Sequence, residues 1–237
     1  MDLKIERIFS HAVALDQSSR MKNTIYCFNR IVFILNNEGT VMLRFIIPSL
    51  STAFSNPISF KADDYESGKF QEKDGKVIFT CIGDEFTRSK CCKTPSLTFT
   101  DVEKIWESLI KSQPHSTFTI HKKSLSLLEE DLSHLEISSK EKSLVIVQRD
   151  IFSGTVITLT RRKAGLDQHK PDNITRDFDP VGIRTGDFMA LYSFQDSIQF
   201  GVTNQPGYFL LKDGDMEGVV AHCLYDQLGT TEVLHGR

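Results

Sequence analysis

The chain lacks an apolar run long enough to cross a membrane. Its longest apolar stretches, residues 31–35 and 41–47, are strand-sized, whereas a spanning helix needs about 20 residues, so no membrane partner is expected. The opening MDLKIERIFSH carries charges where a secretion signal needs an apolar core, so secretion is not expected either. Glycine and proline are scarce, at 14 and 7 of 237 residues, which excludes collagen-like and low-complexity polymers. Charge of one sign is also missing: 28 Lys and Arg face 31 Asp and Glu, a formal net charge of −3. With 40% apolar residues, that balance excludes a disordered chain. It also excludes a uniformly basic nucleic-acid binder, so any such contact must come from a local patch.

Paired-cysteine motifs are absent. Cys27, Cys81, Cys91, Cys92 and Cys223 make an odd, irregular set, read as free thiols in a reducing compartment, the cytoplasm or the nucleus. A metal site would have to gather Cys81, Cys91, Cys92, His115 and His121 without any C-x-x-C or H-x-x-x-H spacing, so no metal is expected. Phosphate-binding glycine loops and a nucleophile elbow are missing as well, and no cofactor is expected. The acidic runs Asp63-Asp64 and Glu129-Glu130-Asp131 read as solvated faces. A binding or scaffold role is favoured over an enzyme. An enzyme would need scattered groups such as His121, Asp150 and Cys223 to converge.

What is present is an α+β pattern dominated by strands. A strand over residues 3–7 precedes a helix over 8–18, whose face is Phe9, Ala12, Val13 and Leu15. Strand-like runs at 24–28, 30–35 and 40–47 follow, the last two joined by Asn36-Asn37-Glu38-Gly39, residues suited to the positive φ of hairpin turns. Residues 60–70 read as a helix or loop, and 76–82 with 85–91 as a second hairpin. Thr100, as N-cap with Glu103, opens a helix over 100–113 with Val102, Ile105, Trp106, Leu109 and Ile110 on one face. Strand 116–121, an amphipathic helix over 125–135, strands 143–148 and 155–160, strand 181–184 and helix 187–194 come next. A meander of 197–203, 208–212 and 219–225 closes the chain.

The order of elements repeats. The hairpin at Ile31 answers the one at Leu144, with Gly39-Thr40-Val41 matching Gly154-Thr155-Val156, and Lys76-Val77-Ile78-Phe79-Thr80 answers Ser197-Ile198-Gln199-Phe200-Gly201. These offsets, 115 and 121 residues, bracket half the chain length. The expectation is two similar domains, 1–115 and 116–237, each an antiparallel sheet with helices on one face. The 100–113 helix is then a connector.

Such a repeated strand–helix–hairpin unit resembles the DNA sliding clamps, the family of proliferating cell nuclear antigen and phage T4-type processivity clamps. The segments closest to that family are KDGKVIFTCIGDEFTRSK from Lys73 and VGIRTGDFMALY from Val181. The resemblance implies a non-enzymatic viral or phage protein, or one of a host nucleus. It implies a homotrimer that closes a ring around double-stranded DNA and tethers DNA polymerase and other peptide-motif partners. The DNA-facing residues it implies are Arg7, Arg20, Lys22, Lys122 and Lys123, with Arg149, Arg161, Arg162 and Lys163 as further candidates. The acidic 125–135 helix departs from that pattern, because Glu129, Glu130 and Asp131 would repel phosphate. A partner groove is implied beside the connector and the last strand, near Trp106, Val219 and Tyr225, although one Trp at helical spacing more often belongs to a core. The alternatives are a monomeric clamp-fold factor that binds DNA or polymerase without encircling, an adaptor without nucleic acid, and the scattered-site enzyme.

Overall fold

The computed structural model describes residues 7–9, 12, 23–36, 39–48, 56–62, 69–74, 76–82, 86–92, 95–129, 132, 134–149, 156–161, 172–204 and 207–221, with the backbone alone at 69–72, 79, 81, 82, 160 and 161. Residues 7–9 and 12 are helical, so Arg7 belongs to the helix and not to the expected strand. Among the described residues, seven strands precede the first complete helix: β1 (Thr24–Phe28), β2 (Ile31–Leu35), β3 (Val41–Ile46), β4 (Ile58–Lys61), β5 (Lys69–Lys73), β6 (Lys76–Ile82) and β7 (Thr87–Cys91). Helix α1 (Phe99–Leu109) leads to β8 (Ser116–His121) and a 3-10 turn (Lys122–Leu127). Then come β9 (His134–Lys140), β10 (Ser143–Arg149), β11 (Val156–Arg161), β12 (Val181–Arg184), α2 (Thr185–Leu191), β13 (Ser197–Val202), β14 (Tyr208–Asp213) and β15 (Met216–Ala221).

Among the described residues the strands form three sheets, all paired antiparallel: an eight-stranded sheet β4-β1-β2-β3-β15-β14-β13-β8, a four-stranded sheet β11-β10-β9-β12, and a three-stranded sheet β5-β6-β7. The connectivity is written twice. The order β4-β1-β2-β3 recurs as β12-β9-β10-β11, and β15-β14-β13 recurs as β7-β6-β5. In the large sheet the two kinds of unit meet at β3 and β15, where Phe45 pairs with Met216 and Leu43 with Gly218. The main core runs continuously beneath that junction, with Phe45 and Phe194 ring centroids 5.2 Å apart. Alternation puts Val41, Leu43 and Phe45 inward and Met42 outward.

Structure and sequence reading agree on the α+β class and on the repeated antiparallel units. Several local expectations are corrected. The helix over 125–135 does not form. Leu125, Leu128 and Leu132 are buried at short helical spacing, but buried Gln148 takes both backbone groups of Glu129. It accepts from the Glu129 N–H at 2.9 Å and donates to its carbonyl at 3.0 Å. Those are the groups a continuing helix would use, so the 3-10 turn stops and β9 begins at His134. Glu129 is exposed outside any helix, and Glu130 and Asp131 lie outside the described residues. The α1 N-cap is Thr98, not Thr100: its hydroxyl accepts from the Asp101 N–H while the Asp101 carboxylate accepts from the Thr98 N–H, and Glu103 takes no part in this box.

The repeat also shifts in detail. β6 is the middle strand of its sheet, so its counterpart is β14 and not β13. The Gly-Thr-Val match is one residue out of register, because Val41 is buried whereas Val156 is exposed. The pairs Ile34–Leu43 and Ile146–Leu159, which all face the same core, are the true equivalents. Finally, β15 starts at Met216, three residues before the expected strand.

Candidate nucleic-acid and partner interfaces

Local structure places the expected cations unevenly. Lys122 and Lys123 are both exposed on the 3-10 turn, which is anchored by the Lys122 N–H donating to the Asp196 carbonyl at 2.8 Å. Buried Leu125 holds this turn against the core while the lysines project outward. Arg7 is exposed on the opening helical segment. Arg149, at the end of β10, is 3.5 Å from the Glu136 carboxylate across β9, so part of its charge is already neutralised. Arg161 ends β11, where only the backbone is described; Arg20, Lys22, Arg162 and Lys163 lie outside the described residues.

The partner residues come together, but in an interior. Helix α1 lies on the second face of the large sheet, opposite the main core. Its Phe99, Val102 and Trp106 pack on Tyr26, Phe33 and Met42 from β1–β3 and on Tyr208 and Val219 from β14 and β15. The i, i+3, i+7 spacing makes a single stripe that fits this seat. Phe33 sits 5.5 Å from Phe99 and 5.8 Å from Trp106, and the Arg44 guanidinium lies 5.8 Å over the indole. The Tyr208 hydroxyl donates to the Leu109 carbonyl at 3.0 Å and fixes the end of α1. Trp106 is only 3% exposed, and among the described residues its indole N–H has no hydrogen-bond partner. Beside it runs a groove of about 280 Å³ lined by Trp106, Ile110, Pro114, Leu210 and Lys212. Pro114 can lie that close to the sheet because Gly201 is beneath it; a Cβ there would meet Pro114 Cβ at 2.9 Å. Tyr225 lies outside the described residues.

Two sheet edges form a further pair of surfaces missed by sequence reading. β11 pairs with β10 on one side and β7 with β6 on one side; among the described residues neither has a strand on its other side. These are the same two strand types that meet within the chain as β3 and β15. β7 presents exposed Thr87, Arg88, Ser89 and Cys91, and β11 presents exposed Val156 and Thr158. Phe86, just before β7, is 80% exposed.

Ionisable groups serve structure here. Burial, and then Arg184, holds His134 below the usual histidine range; burial and Arg176 do the same to His115. The Asp177 carboxyl is held low by the N–H of Lys142, with help from Glu141 and Ser139, and so clamps the turn between β9 and β10. Burial pushes the Cys27 thiol far up. Among the described residues no three metal-ligating side chains converge, and no helix is long and apolar enough to cross a membrane. Of His121, Asp150 and Cys223, the last two lie outside the described residues.

No protein-family model matches the chain, and no curated protein sequence matches it. Solved structures do. The Helicobacter pylori beta clamp bound to a DNA ligase peptide superposes with a TM-score of 0.63 at 12% identity, covering 93% of this chain and 63% of that one. The Pseudomonas aeruginosa DNA polymerase III subunit beta gives 0.63 at 10% identity, covering 94% and 64%. The chain thus spans less than two thirds of the length of either. At these identities the likeness concerns architecture, and on it, together with the twice-written strand order, the chain has the sliding-clamp fold.

Proposed function

We propose that the chain is a sliding clamp and polymerase processivity factor. Its two halves, 1–115 and 116–237, form similar domains joined by the connector that carries α1. Three copies join head to tail, β7 of one against β11 of the next, and close a ring around double-stranded DNA. The observation that carries this reading is the internal junction: β3 and β15 already pair in the chain, and β11 and β7 are the same two strands by connectivity, each with an edge left open among the described residues. A heterologous contact that closes removes both of these edges as templates for aggregation.

The ring works without catalysis or cofactor. Lys122 and Lys123, with Arg7 and the weaker candidates Arg149 and Arg161, attract phosphate regardless of sequence, so the ring is held without being fixed in place. Tethering then raises a polymerase's effective concentration at its template. Partner peptides dock in the groove beside Trp106, Ile110 and Leu210; one structural neighbour was solved with a DNA ligase peptide bound. Such a ring operates wherever the DNA is, in a host cytoplasm or a nucleus.

The test combines mass with topology. At low salt the particle should weigh three times 26.9 kDa, and it should stay on nicked circular DNA but run off linear DNA. Reversing Lys122 and Lys123 to Glu should weaken retention and flatten its salt dependence by about one unit of slope per lost phosphate contact. A 26.9 kDa particle at every concentration, or equal retention on circles and linear DNA, overturns the ring. One observation favours a monomeric clamp-fold factor instead: β7 carries Arg88 and Lys90, residues with which lone proteins blunt an edge. The same mass measurement decides between the two.

A further inference from the structure

The internal junction also says which side chains should be buried between copies. On β15 the inward residues are Met216, Gly218 and Val220. Met216 is the first residue after the turn from β14, is fully buried, sits opposite Phe45 and lies diagonal to Leu43. On β7 the parity is set by buried Cys92, whose N–H donates to the Val77 carbonyl. Stepping back by two residues gives Lys90, Arg88 and then Phe86. The pair Ile82–Thr87, the last of β6 and β7, answers Lys212–Glu217 of β14 and β15, so Phe86, the residue before Thr87, is the counterpart of Met216, the residue before Glu217. One is wholly buried; the other is 80% exposed.

The receiving side has a matching vacancy. On β11 the inward residues are Ile157 and Leu159, equivalent to Val41 and Leu43. An apolar cavity of about 270 Å³ lies against Leu159, lined also by Leu125, Leu127, Leu128, Ile146 and Phe188. Ser124 is the one polar lining residue among those described, and Leu127 at the cavity is 62% exposed. In the internal junction Met216 occupies the place diagonal to Leu43, the counterpart of Leu159.

We infer that Phe86 of one copy seats in the cavity beside β11 of the next and is the main apolar anchor of the contact between copies. This rests on the ring reading above and specifies the partner of that edge as a second copy of this chain. By strand register, position 161 is equivalent to Phe45 and so stands opposite Phe86.

Sedimentation equilibrium of the full chain tests it, using wild type, Phe86→Ala, Phe86→Leu and Leu127→Asp. Both substituted sites are exposed, so thermal melting of the separated chains should be unchanged. Phe86→Ala should raise the dissociation constant of the contact by about ten- to a hundredfold, the range for burying one large apolar side chain. Leu127→Asp should do likewise, and Phe86→Leu should recover most of the loss. If wild type assembles and Phe86→Ala assembles with the same constant, the anchor is wrong and the ring stands. If wild type stays a single chain throughout, the ring reading falls and the anchor with it.

Discussion

At the residue scale, buried His134 and half-buried His115 should give the fold a pH dependence. His134 is interior and faces the charges of Arg184 and Arg149, its partners across β12 and β10; Glu136 lies beside Arg149. Its folded pKa lies below the ordinary value of about 6.5, chiefly through burial. The unfolded chain therefore binds protons that the native state refuses. Stability is full above about pH 6.5 and is lost as pH falls from there through the depressed folded value. His115 acts with the same sign. Urea unfolding at pH 7.5 and pH 5.5 should show the loss, and His134→Gln should reduce the gap. A gap unchanged by that substitution would remove His134 as its source. Single residues also limit what pattern can reveal. Nothing in the bare chain marks Gln148 as the group that captures Glu129, because the two approach each other only after β10 has folded back.

At the element scale, α1 depends on its cap. Thr98→Ala breaks the reciprocal box with Asp101, whose carboxyl is held low by the Thr98 hydroxyl and N–H. It should cost about 0.5–2 kcal/mol, while Thr100→Ala should cost far less; hydrogen exchange along α1 and urea melts would measure both. Equal losses would return the cap to Thr100. Helix α1 was legible because its stripe is long and periodic, and the first hairpin because Asn36 and Gly39 mark its turn; Gly39 has φ +70°. β9 was not legible. Its turn uses Glu141 and Lys142 at φ 51° and 59°, residues with no turn signature of their own, held by the distant Asp177 carboxylate. β4 and β5 were missed for a related reason: they are short, and their pairing with β1 and β6 is the only thing that makes them strands. The Leu125–Leu128 spacing of three suits a 3-10 turn as well as an α-helix, so periodicity alone overstated its length.

At the scale of the whole molecule, the repeated connectivity was legible as an order of elements but not as a register. A shared tripeptide outweighed the inward–outward alternation, which only the strand pairings reveal. The candidate cations Lys122 and Lys123 were expected from the family resemblance, at the start of a helix that is instead a 3-10 turn. The open edges were not, because an edge is defined by what fails to pair. Those edges supply a direct test of assembly. Exposed Cys91 on β7 should form a disulfide between copies with a cysteine placed on the exposed face of β11, as Val156→Cys or Thr158→Cys. A ladder ending at three chains is expected on a non-reducing gel. Crosslinking confined to random higher species, equally efficient from any surface position, would speak against paired edges.

The chain has one tryptophan, and it is wedged between Phe33 and Arg44 over the internal seam of the large sheet. The protein thus carries a built-in optical gauge of that seam. If loading onto a closed circle parts two neighbouring molecules, the indole emission should keep its colour throughout. If the seam inside a single molecule yields instead, water reaches the indole and the emission shifts to the red.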